Sequence, residues 1–335
     1  MLSHSTSALD QAWPAFALVV GLLLVGAAAA HDGLFRAAGA LAARAPGGAV
    51  VLLVLLLALE ALVTAVLNLD TAVVFLTPVL LHAARRRGIA EEPFLYGAVF
   101  MANSASLLLP GSNLTNLIVL AHARGMGPAF AARLAPAWGA AVAVTIGFVV
   151  LAFRRQLFGR GGPPGERVPF RPHIGTAGVA LAAVLVLTLA RPALPVLALG
   201  IVVALRTQLS LRAASPLLLG GMLMVTVALG TLARSVGGIA IHTGRWSTAL
   251  LGAVAAIGLN NLPAAALLSA HAPAHPLALL LGLDLGPNLA ITGSLSALLW
   301  LRVARAHAAA PSAMRYSVLG LVLVPVSLAL SLAIA

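Results

Sequence analysis

The chain has 335 residues, of which 61% are hydrophobic and only 8% charged, and its mean hydropathy is +1.07. Soluble domains carry about 25% charged residues, so this composition excludes a water-soluble core and predicts a protein that lies in lipid. The formal net charge of +12 comes from arginines spread between apolar runs, which favours a topological signal over nucleic-acid binding. Cysteine is absent and the nine histidines are scattered singly. We therefore predict no disulfide, no metal site and no cofactor.

Six apolar segments are predicted to span the membrane, because about 20 apolar residues in a helix cover the hydrocarbon core. A short basic piece, residues 33–44, is predicted to lie at the membrane interface instead. The six segments are residues 13–30, 128–153, 174–190, 193–206, 216–233 and 316–335.

Four further apolar segments are interrupted by polar and helix-breaking residues. Backbone freed from helical bonding is tolerated at membrane depth only inside protein or beside water, so the interruptions predict one shared polar cavity. A polar tip followed by a broken helix occurs on each side of the loop 154–173. This order predicts an internal repeat whose discontinuous helices meet at the membrane midplane. The interruptions are residues 68–71, 103–106 with 110–113, 260–263, and 284–288 with 292–294.

The predicted fold is therefore an all-α polytopic membrane protein with two inverted repeats, each with a re-entrant hairpin and a discontinuous helix. The first repeat, residues 1–153, contains a span, the interfacial helix, a hairpin at 48–84, a broken helix at 94–122 and a span. A cytoplasmic linker, 154–173, leads to the second repeat, 174–335, with three spans, a hairpin at 246–271, a broken helix at 277–301 and a final span. The first repeat has two fewer spans, which we interpret as a compact architecture or a start codon placed late.

The arginines predict the orientation. With the loop 154–173 in the cytoplasm, most of the 20 basic residues fall inside, in agreement with the positive-inside rule. This bias requires each hairpin to return to the side from which it enters, the first from the cytoplasm and the second from outside. We therefore expect a multi-pass protein of the bacterial cell inner membrane with both termini outside. The arginines expected outside or near the outer face are Arg124, Arg133, Arg191, Arg234 and Arg245.

Three of the eight acidic residues, Glu60, Asp70 and Asp284, fall at membrane depth. A carboxylate there costs about 2.5–3.5 kcal/mol on insertion scales, so such a group is usually protonated, paired or facing water. Asp70 in the first tip and Asp284 at the second break are predicted to carry a proton or a cation. Capping of a half-helix is the alternative and would still place them at the site. For Glu60, a coupling role and a structural role both remain open.

The predicted substrate and ion site combines Asp70 and Asp284 with neutral side chains of the interruptions. Half-helix N-termini add free backbone N–H groups and a partial positive charge. This combination suits a small oxyanion or a small polyhydroxy solute. Thr64 and Thr77 are expected to bond back to their own helix instead. The neutral members are Asn68, Thr71, Asn103, Ser104, Ser106, Ser112, Asn113, Thr115, Asn260, Asn261, Asn288, Thr292 and Ser294.

Two motifs of the first repeat, residues 69–78 (LDTAVVFLTP) and 102–116 (ANSASLLLPGSNLTN), resemble the first hairpin and first broken helix of the arsenite-efflux permease family (arsenical pump membrane protein). This family belongs to the ion transporter superfamily and is related to divalent anion/sodium symporters. Residues 260–263 (NNLP) and 286–294 (GPNLAITGS) are similar to its second tip and second break. The resemblance implies an alternating-access secondary transporter, often dimeric, for proton-coupled export of arsenite or antimonite. Arsenite is a neutral trihydroxide that amides and hydroxyls can bind without thiols. The tips lack the Ser-Asn-Thr motif of related dicarboxylate and sulfate carriers, which argues against those substrates.

Other functions remain as alternatives. A sodium–proton antiporter could use Asp70 and Asp284 for cations alone, and another inorganic or organic anion permease of the same superfamily is the next alternative. An intramembrane enzyme is disfavoured because these aspartates lie in tips and breaks, and a structural protein would not explain four polar breaks. A primary pump would need a separate ATPase subunit. The expected partners are the lipid bilayer, a small inorganic substrate and a coupling proton or sodium, with a homodimer left open and no nucleic acid.

Overall fold

The computed structural model describes residues 7–44, 46–121, 129–158, 171–189, 191–210, 216–235 and 243–335. Within these ranges every regular element is helical, comprising sixteen α-helices and three short 3-10 turns. The all-α class is therefore confirmed, and several of the helices are apolar enough for a polytopic membrane protein.

The first half of the chain contains one long helix, a short helix, a helical hairpin, a broken helix and another long helix. Ser7 begins the first helix with a capping box, in which its hydroxyl accepts a 3.0 Å hydrogen bond from the Asp10 backbone N–H. The elements are α1 (Ala8–His31), α2 (Leu34–Ala43), α3 (Ala49–Val66), α4 (Leu69–Arg86), α5 (Glu92–Ala105), a 3-10 turn (Pro110–Ser112), α6 (Leu114–Leu120), α7 (Phe130–Ala152) and α8 (Arg154–Leu157).

The second half contains three helices, a second hairpin, a second broken helix and a final long helix. In this second hairpin the second arm is shorter than the first arm, and the second break contains two 3-10 turns. The elements are α9 (Ile174–Thr188), α10 (Ala193–Arg206), α11 (Pro216–Ser235), α12 (Arg245–Leu259), α13 (Asn261–Leu268), α14 (Pro276–Leu285), 3-10 turns at Gly286–Leu289 and Ile291–Gly293, α15 (Leu295–Ala306) and α16 (Ala313–Ile334).

Five of the described helices, α1, α3, α7, α11 and α16, are long and apolar enough to cross a membrane. Two predicted spans are short: α9, predicted to end at residue 190, has 15 residues, and α10, which has the predicted bounds, has 14. At 1.5 Å per residue these helices are about 22 and 21 Å long, against a hydrocarbon core of about 30 Å. The predicted end of the α9 span at residue 190 lies outside the described residues. Locally thinner lipid would be needed for either helix to cross alone.

Both hairpin tips are tighter than the sequence predicts. The interruption predicted at residues 68–71 consists only of Leu67 and Asn68, because α4 already begins at Leu69. The interruption predicted at 260–263 is Asn260 alone, and α13 begins at the next residue. In each tip the asparagine caps the second arm with its side-chain oxygen, so the polar residues that follow it remain helical.

The contacts between helices follow the same plan in both halves. The first arm of each hairpin packs on the broken helix that follows it, α3 on α5 and α12 on α14. The second arm packs on the outer piece of the other broken helix, α4 on α15 and α13 on α6. The long helices α7 and α16 pack on each other and each supports its own break. This matched order agrees with an internal repeat, whose inverted orientation stays a prediction.

Two helix pairs approach so closely that only glycine fits between them. A Cβ atom on Gly282 of α14 would lie 1.9 Å from the Ala249 carbonyl oxygen of α12. A Cβ atom on Gly200 of α10 would lie 2.6 Å from the Gly21 carbonyl oxygen of α1. Small residues allow such backbone contact between membrane helices, and dispersion then holds the pairs together. The α12–α14 contact fixes the second hairpin beside its break.

Helix α1 joins parts of both halves through polar residues at its ends. At one end, the Asp32 carboxylate accepts hydrogen bonds of 2.7 and 3.1 Å from the backbone N–H groups of Gly175 and Thr176, which caps α9. At the other end, the buried Gln11 amide donates to the Ile118 carbonyl at 2.8 Å and to the Ser269 hydroxyl at 3.2 Å. Helices α6, α9 and α13 are thereby tied to one element.

Candidate functional site

The first break is stabilised by side chains that bond to its freed carbonyls. Helix α5 ends at Ala105, and the Ser112 hydroxyl donates to the Ser106 and Leu109 carbonyls, the latter at 2.6 Å. The Asn116 amide donates to the same two carbonyls at 2.8 and 3.2 Å. Backbone groups without a helical partner at membrane depth must be satisfied within the protein. The break is therefore a built structure and not a frayed helix.

Asn113 connects the first break to the second. It caps α6 by accepting a 3.1 Å hydrogen bond from the Thr115 backbone N–H. Its amide nitrogen donates to the Ser106 hydroxyl at 3.2 Å and to one carboxyl oxygen of Asp284 at 2.8 Å. Asp284 lies in the last turn of α14, and its other carboxyl oxygen has no hydrogen-bond partner among the described residues. One amide thus joins a helix cap, a hydroxyl and a buried carboxyl.

A second group of amides and hydroxyls joins α5 to the other break. The Asn103 amide nitrogen donates to the Asn288 amide oxygen at 2.9 Å. The Asn288 nitrogen donates in turn to the Ser104 hydroxyl at 3.2 Å and the Phe100 carbonyl at 3.3 Å. The Ser296 hydroxyl donates to the Asn103 amide oxygen at 3.1 Å. These residues are almost completely buried, so the two broken helices meet inside the protein through a specific set of hydrogen bonds.

The long helices α7 and α16 support this meeting point from outside. The Thr145 hydroxyl of α7 lies 2.8 Å from the Ser104 hydroxyl and also donates to the Ala141 carbonyl at 2.8 Å. The buried Tyr316 hydroxyl of α16 donates to the Pro287 carbonyl at 2.9 Å. Each break is therefore positioned by hydrogen bonds from a helix outside its own hairpin.

The second tip is bonded to the second break. Asn260 has a positive φ of 76°, and its amide nitrogen donates to the Thr292 carbonyl at 2.9 Å. Thr292 takes part through its backbone, and its side chain is exposed. Asn261 is buried, and its amide oxygen has no partner among the described residues. Ser294 caps α15 by accepting a 3.2 Å hydrogen bond from the backbone N–H three residues later.

The first tip has no such bond. Asn68 caps α4 by accepting a 2.7 Å hydrogen bond from the Thr71 backbone N–H. Both carboxyl oxygens of Asp70, the Thr71 hydroxyl and the Asn68 amide nitrogen are buried without a hydrogen-bond partner in the described part of the chain. The structure thus brings the residues of the two breaks and the second tip together, whereas the first tip is buried but not hydrogen-bonded to them.

Some expectations about individual residues were wrong or incomplete. The expected back-bonding of Thr64 and Thr77 is wrong, because neither hydroxyl has a partner among the described residues. The Thr115 hydroxyl is also buried and unpartnered. Residues that the sequence reasoning missed are Asn116, Thr145, Ser296 and Tyr316. The first and third lie within or beside the break motifs, whereas the other two are lone polar residues in apolar helices and carry no sequence signal.

The buried polar residues are strongly unbalanced in charge. Three carboxyls are buried, those of Glu60, Asp70 and Asp284, whereas the one buried basic residue in the described ranges is Arg87. Arg87 follows the last turn of α4 and donates to the Gly47 carbonyl at 2.8 Å. The 18 residues of α4 place it about 27 Å from the first tip. No group of three or more His, Asp or Glu side chains gathers in the described part of the chain.

Comparison with known proteins gives two matches. The family model CitMHS, described as citrate transporter, matches residues 3–331, almost the whole chain. The silicon efflux transporter LSI3 of Oryza sativa subsp. japonica is 27% identical over 153 residues, which cover 46% of this chain and 32% of the rice protein. The aligned part therefore spans about a third of that relative's length.

Proposed function

We propose, from the premise that this chain belongs to the CitMHS family of citrate transporters, that it exports a small neutral hydroxide in exchange for protons. Family membership makes it a multi-pass secondary membrane transporter and not an enzyme. The substrate proposed first is arsenous acid, the neutral form of arsenite, or its antimony counterpart. The proposed location is a bacterial inner membrane.

The observation that carries this proposal is the chemistry of the described residues at the breaks, whose buried polar side chains are amides, hydroxyls and carboxyls and include no basic group. A free tricarboxylate desolvated in this site would need charged hydrogen-bond donors such as arginine. The described site offers amides, hydroxyls and carboxyls. A neutral hydroxide both donates and accepts hydrogen bonds at each hydroxyl, so it fits that set. Buried acceptors without a partner are available at Asn261 and Asp284, and a free hydroxyl at Thr115.

The rice relative supports the same chemical class. It is named a silicon efflux transporter, and silicic acid, like arsenous acid, is a small uncharged hydroxide at neutral pH. The similarity covers less than half of this chain, so it supports the class of substrate and not its identity. Silicic acid is accordingly the first substrate to compare with arsenite.

The proton is assigned to the unpartnered carboxyls. Asp70 is buried with both oxygens free, and Asp284 has one oxygen free. A carboxyl at membrane depth is stable when protonated, paired or facing water. Binding and release of a proton at Asp70, as the site opens to either side, would couple substrate export to the proton gradient.

Citrate is a second candidate because the family description names it. Because the described residues of the site include no buried basic side chain, the charge of citrate would have to be neutralised by a bound divalent cation, which the carboxyls could face. A sodium–proton antiporter without any oxyanion remains the alternative that the three buried carboxyls allow. The three functions can be distinguished by the ion or solute whose movement uses or dissipates a pH gradient across the membrane.

The deciding experiment is uptake of arsenite into everted membrane vesicles with and without a proton gradient. Wild type should accumulate arsenite only with the gradient, and Asp70→Asn should abolish accumulation. Glu91→Gln is the matched control, since Glu91 is a surface carboxylate paired with Arg85 at 2.7 Å, and it should transport like wild type. Accumulation of citrate with Mg²⁺ but not of arsenite would replace the substrate. Collapse of the gradient by sodium alone would replace the whole proposal with cation exchange.

A further inference from the structure

Glu60 is a buried carboxyl that the candidate site does not use. It lies within α3, fully buried, and neither carboxyl oxygen has a hydrogen-bond partner among the described residues. Its helix neighbours Leu56, Leu57 and Ala61 are buried and apolar. An ionised carboxylate in these surroundings would lack both solvent and a counter-ion. The side chain therefore needs another way to be stable at this depth.

Glu60 begins a file of buried polar residues that leads to the first tip. Thr64 follows one turn later on the same face of α3, and Asn68 follows four residues after that at the tip. At 1.5 Å per residue, Thr64 lies about 6 Å from Glu60 along α3, and the helix ends at Val66, two residues before Asn68. The Thr64 hydroxyl and the Asn68 amide nitrogen are buried and unpartnered among the described residues.

Thr64 is one of several threonines, with Thr77 and Thr115, whose buried hydroxyl has no hydrogen-bond partner among the described residues. Thr145 in α7 donates to the carbonyl four residues back at 2.8 Å, and exposed Thr188 does the same at 2.7 Å. This back-bonding is the usual way for a threonine in a membrane helix to satisfy its hydroxyl. Thr64 instead leaves its hydroxyl free between Glu60 and Asn68, so a buried polar side chain occurs at every fourth residue from Glu60 to the tip.

Among the described residues, the one buried basic side chain, Arg87, donates to the Gly47 carbonyl just before α3 begins, and neither oxygen of Glu60 has a partner. The elements that pack on α3 are α2, α4, α5, α7 and the 3-10 turn of the first break. Apart from Asp70 beside the tip, their titratable and charged residues lie toward helix ends, and in the described ranges none of the basic ones is buried. These residues are Arg36 of α2, Asp70, His82, Arg85 and Arg86 of α4, Glu92 and Tyr96 of α5, and Arg133 of α7.

We propose that Glu60 is a proton-binding site of its own, separate from the two breaks, with the free Thr64 hydroxyl one turn closer to the first tip. The coupling role rests on the proposed function: the proton that Glu60 releases when the first hairpin meets water is one of those exchanged for substrate. A proton fits better than sodium, because a hard cation requires several oxygen ligands and, of the residues three and four positions from Glu60 on α3, Thr64 alone carries a side-chain oxygen.

The protonation of Glu60 can be tested without any substrate. Infrared difference spectra of the purified full chain at neutral pH, wild type minus Glu60→Gln, should contain the carbonyl stretch of a protonated carboxylic acid. Glu60→Leu, whose side chain is apolar like Leu56 and Leu57, should remove the same band. This second variant keeps the test valid if Glu60→Gln does not fold. Asp70→Asn should leave this band in place. Carboxylate stretches in the difference spectrum, or loss of the band on adding sodium, would overturn the assignment.

The coupling role is tested in liposomes that contain the purified chain. Glu60→Gln and Glu60→Leu should lose accumulation driven by a proton gradient but keep exchange of internal for external arsenite, which moves no net proton. A merely structural role would slow both processes together, and accumulation equal to wild type would refute the coupling role. If the wild type moves neither arsenite nor silicic acid, the proposed function fails, while the infrared result still decides whether Glu60 binds a proton.

Discussion

The hydrogen bond between Asn113 and Asp284 is the most direct link between the two breaks, and it can be measured by a double-mutant cycle. Asn113→Ala removes the 2.8 Å bond to the carboxyl, the 3.2 Å bond to Ser106 and the cap of α6. Asp284→Ala removes the carboxyl alone. The double variant isolates the energy of the pair, provided that each single change adds no new contact.

The expected magnitude follows from these three contacts. Loss of an N-cap costs about 0.5–2 kcal/mol, and a hydrogen bond between membrane helices contributes about 0.6 kcal/mol on average and up to about 1.7. Asn113→Ala should therefore lower the free energy of unfolding by about 2–4 kcal/mol. The coupling energy between Asn113 and Asp284 should be about 0.6–1.7 kcal/mol.

The assay is reversible unfolding of the purified chain in mixed micelles, followed by the fluorescence of its four tryptophans. A second cycle, which combines Asn113→Ala with Glu91→Ala on the surface, serves as the control. Its changes should add to within about 0.3–0.5 kcal/mol, as expected for distant sites. A coupling energy for Asn113 and Asp284 no larger than that of the control would refute the proposed contact between the two breaks.

Two further predictions concern packing and capping. Gly282→Ala should lower the free energy of unfolding by about 1–3 kcal/mol, because its Cβ atom would lie 1.9 Å from a carbonyl oxygen of α12. The control is Gly258→Ala, where the Cβ atom meets open space, and this change should be neutral or stabilising. Equal melting temperatures for the two variants would contradict the prediction. Asp32→Ala should cost about 0.5–2 kcal/mol, since two backbone N–H groups at the start of α9 lose their acceptor. Vesicle transport by this variant should be unchanged, and a melting temperature equal to that of wild type would show that the cap has no effect.

The positions of the breaks could be predicted from the sequence because their causes are local. Asparagine, glycine and proline are poor helix residues, and a cluster of them inside an apolar run leaves backbone groups that must be satisfied. The interruptions predicted at 110–113 and 292–294 end one residue before α6 and α15 begin. Local chemistry also explains the differences at the tips, where one asparagine cap suffices to restart the helix.

The pairing of side chains across the breaks could not be predicted in the same way. Asn103 and Asn288 are 185 residues apart, and nothing in either motif specifies the other as its partner. Thr145 looks like any threonine in an apolar helix until the fold places it beside Ser104. The end of α9 at Thr188 is predicted too late for a local reason, because apolar residues continue to Ala190, whereas the bounds of α10 agree with the predicted 193–206.

The two hairpin tips differ in what must be broken to move them. Lifting the second tip from its break requires rupture of the bond from Asn260 to the Thr292 carbonyl, whereas in the described residues the first tip has no side-chain hydrogen bond to lose. Equal forces on the two hairpins would therefore displace them unequally. The first tip is held by apolar packing, which has no preferred direction, whereas the second tip also has a directional contact that fixes its position on the break.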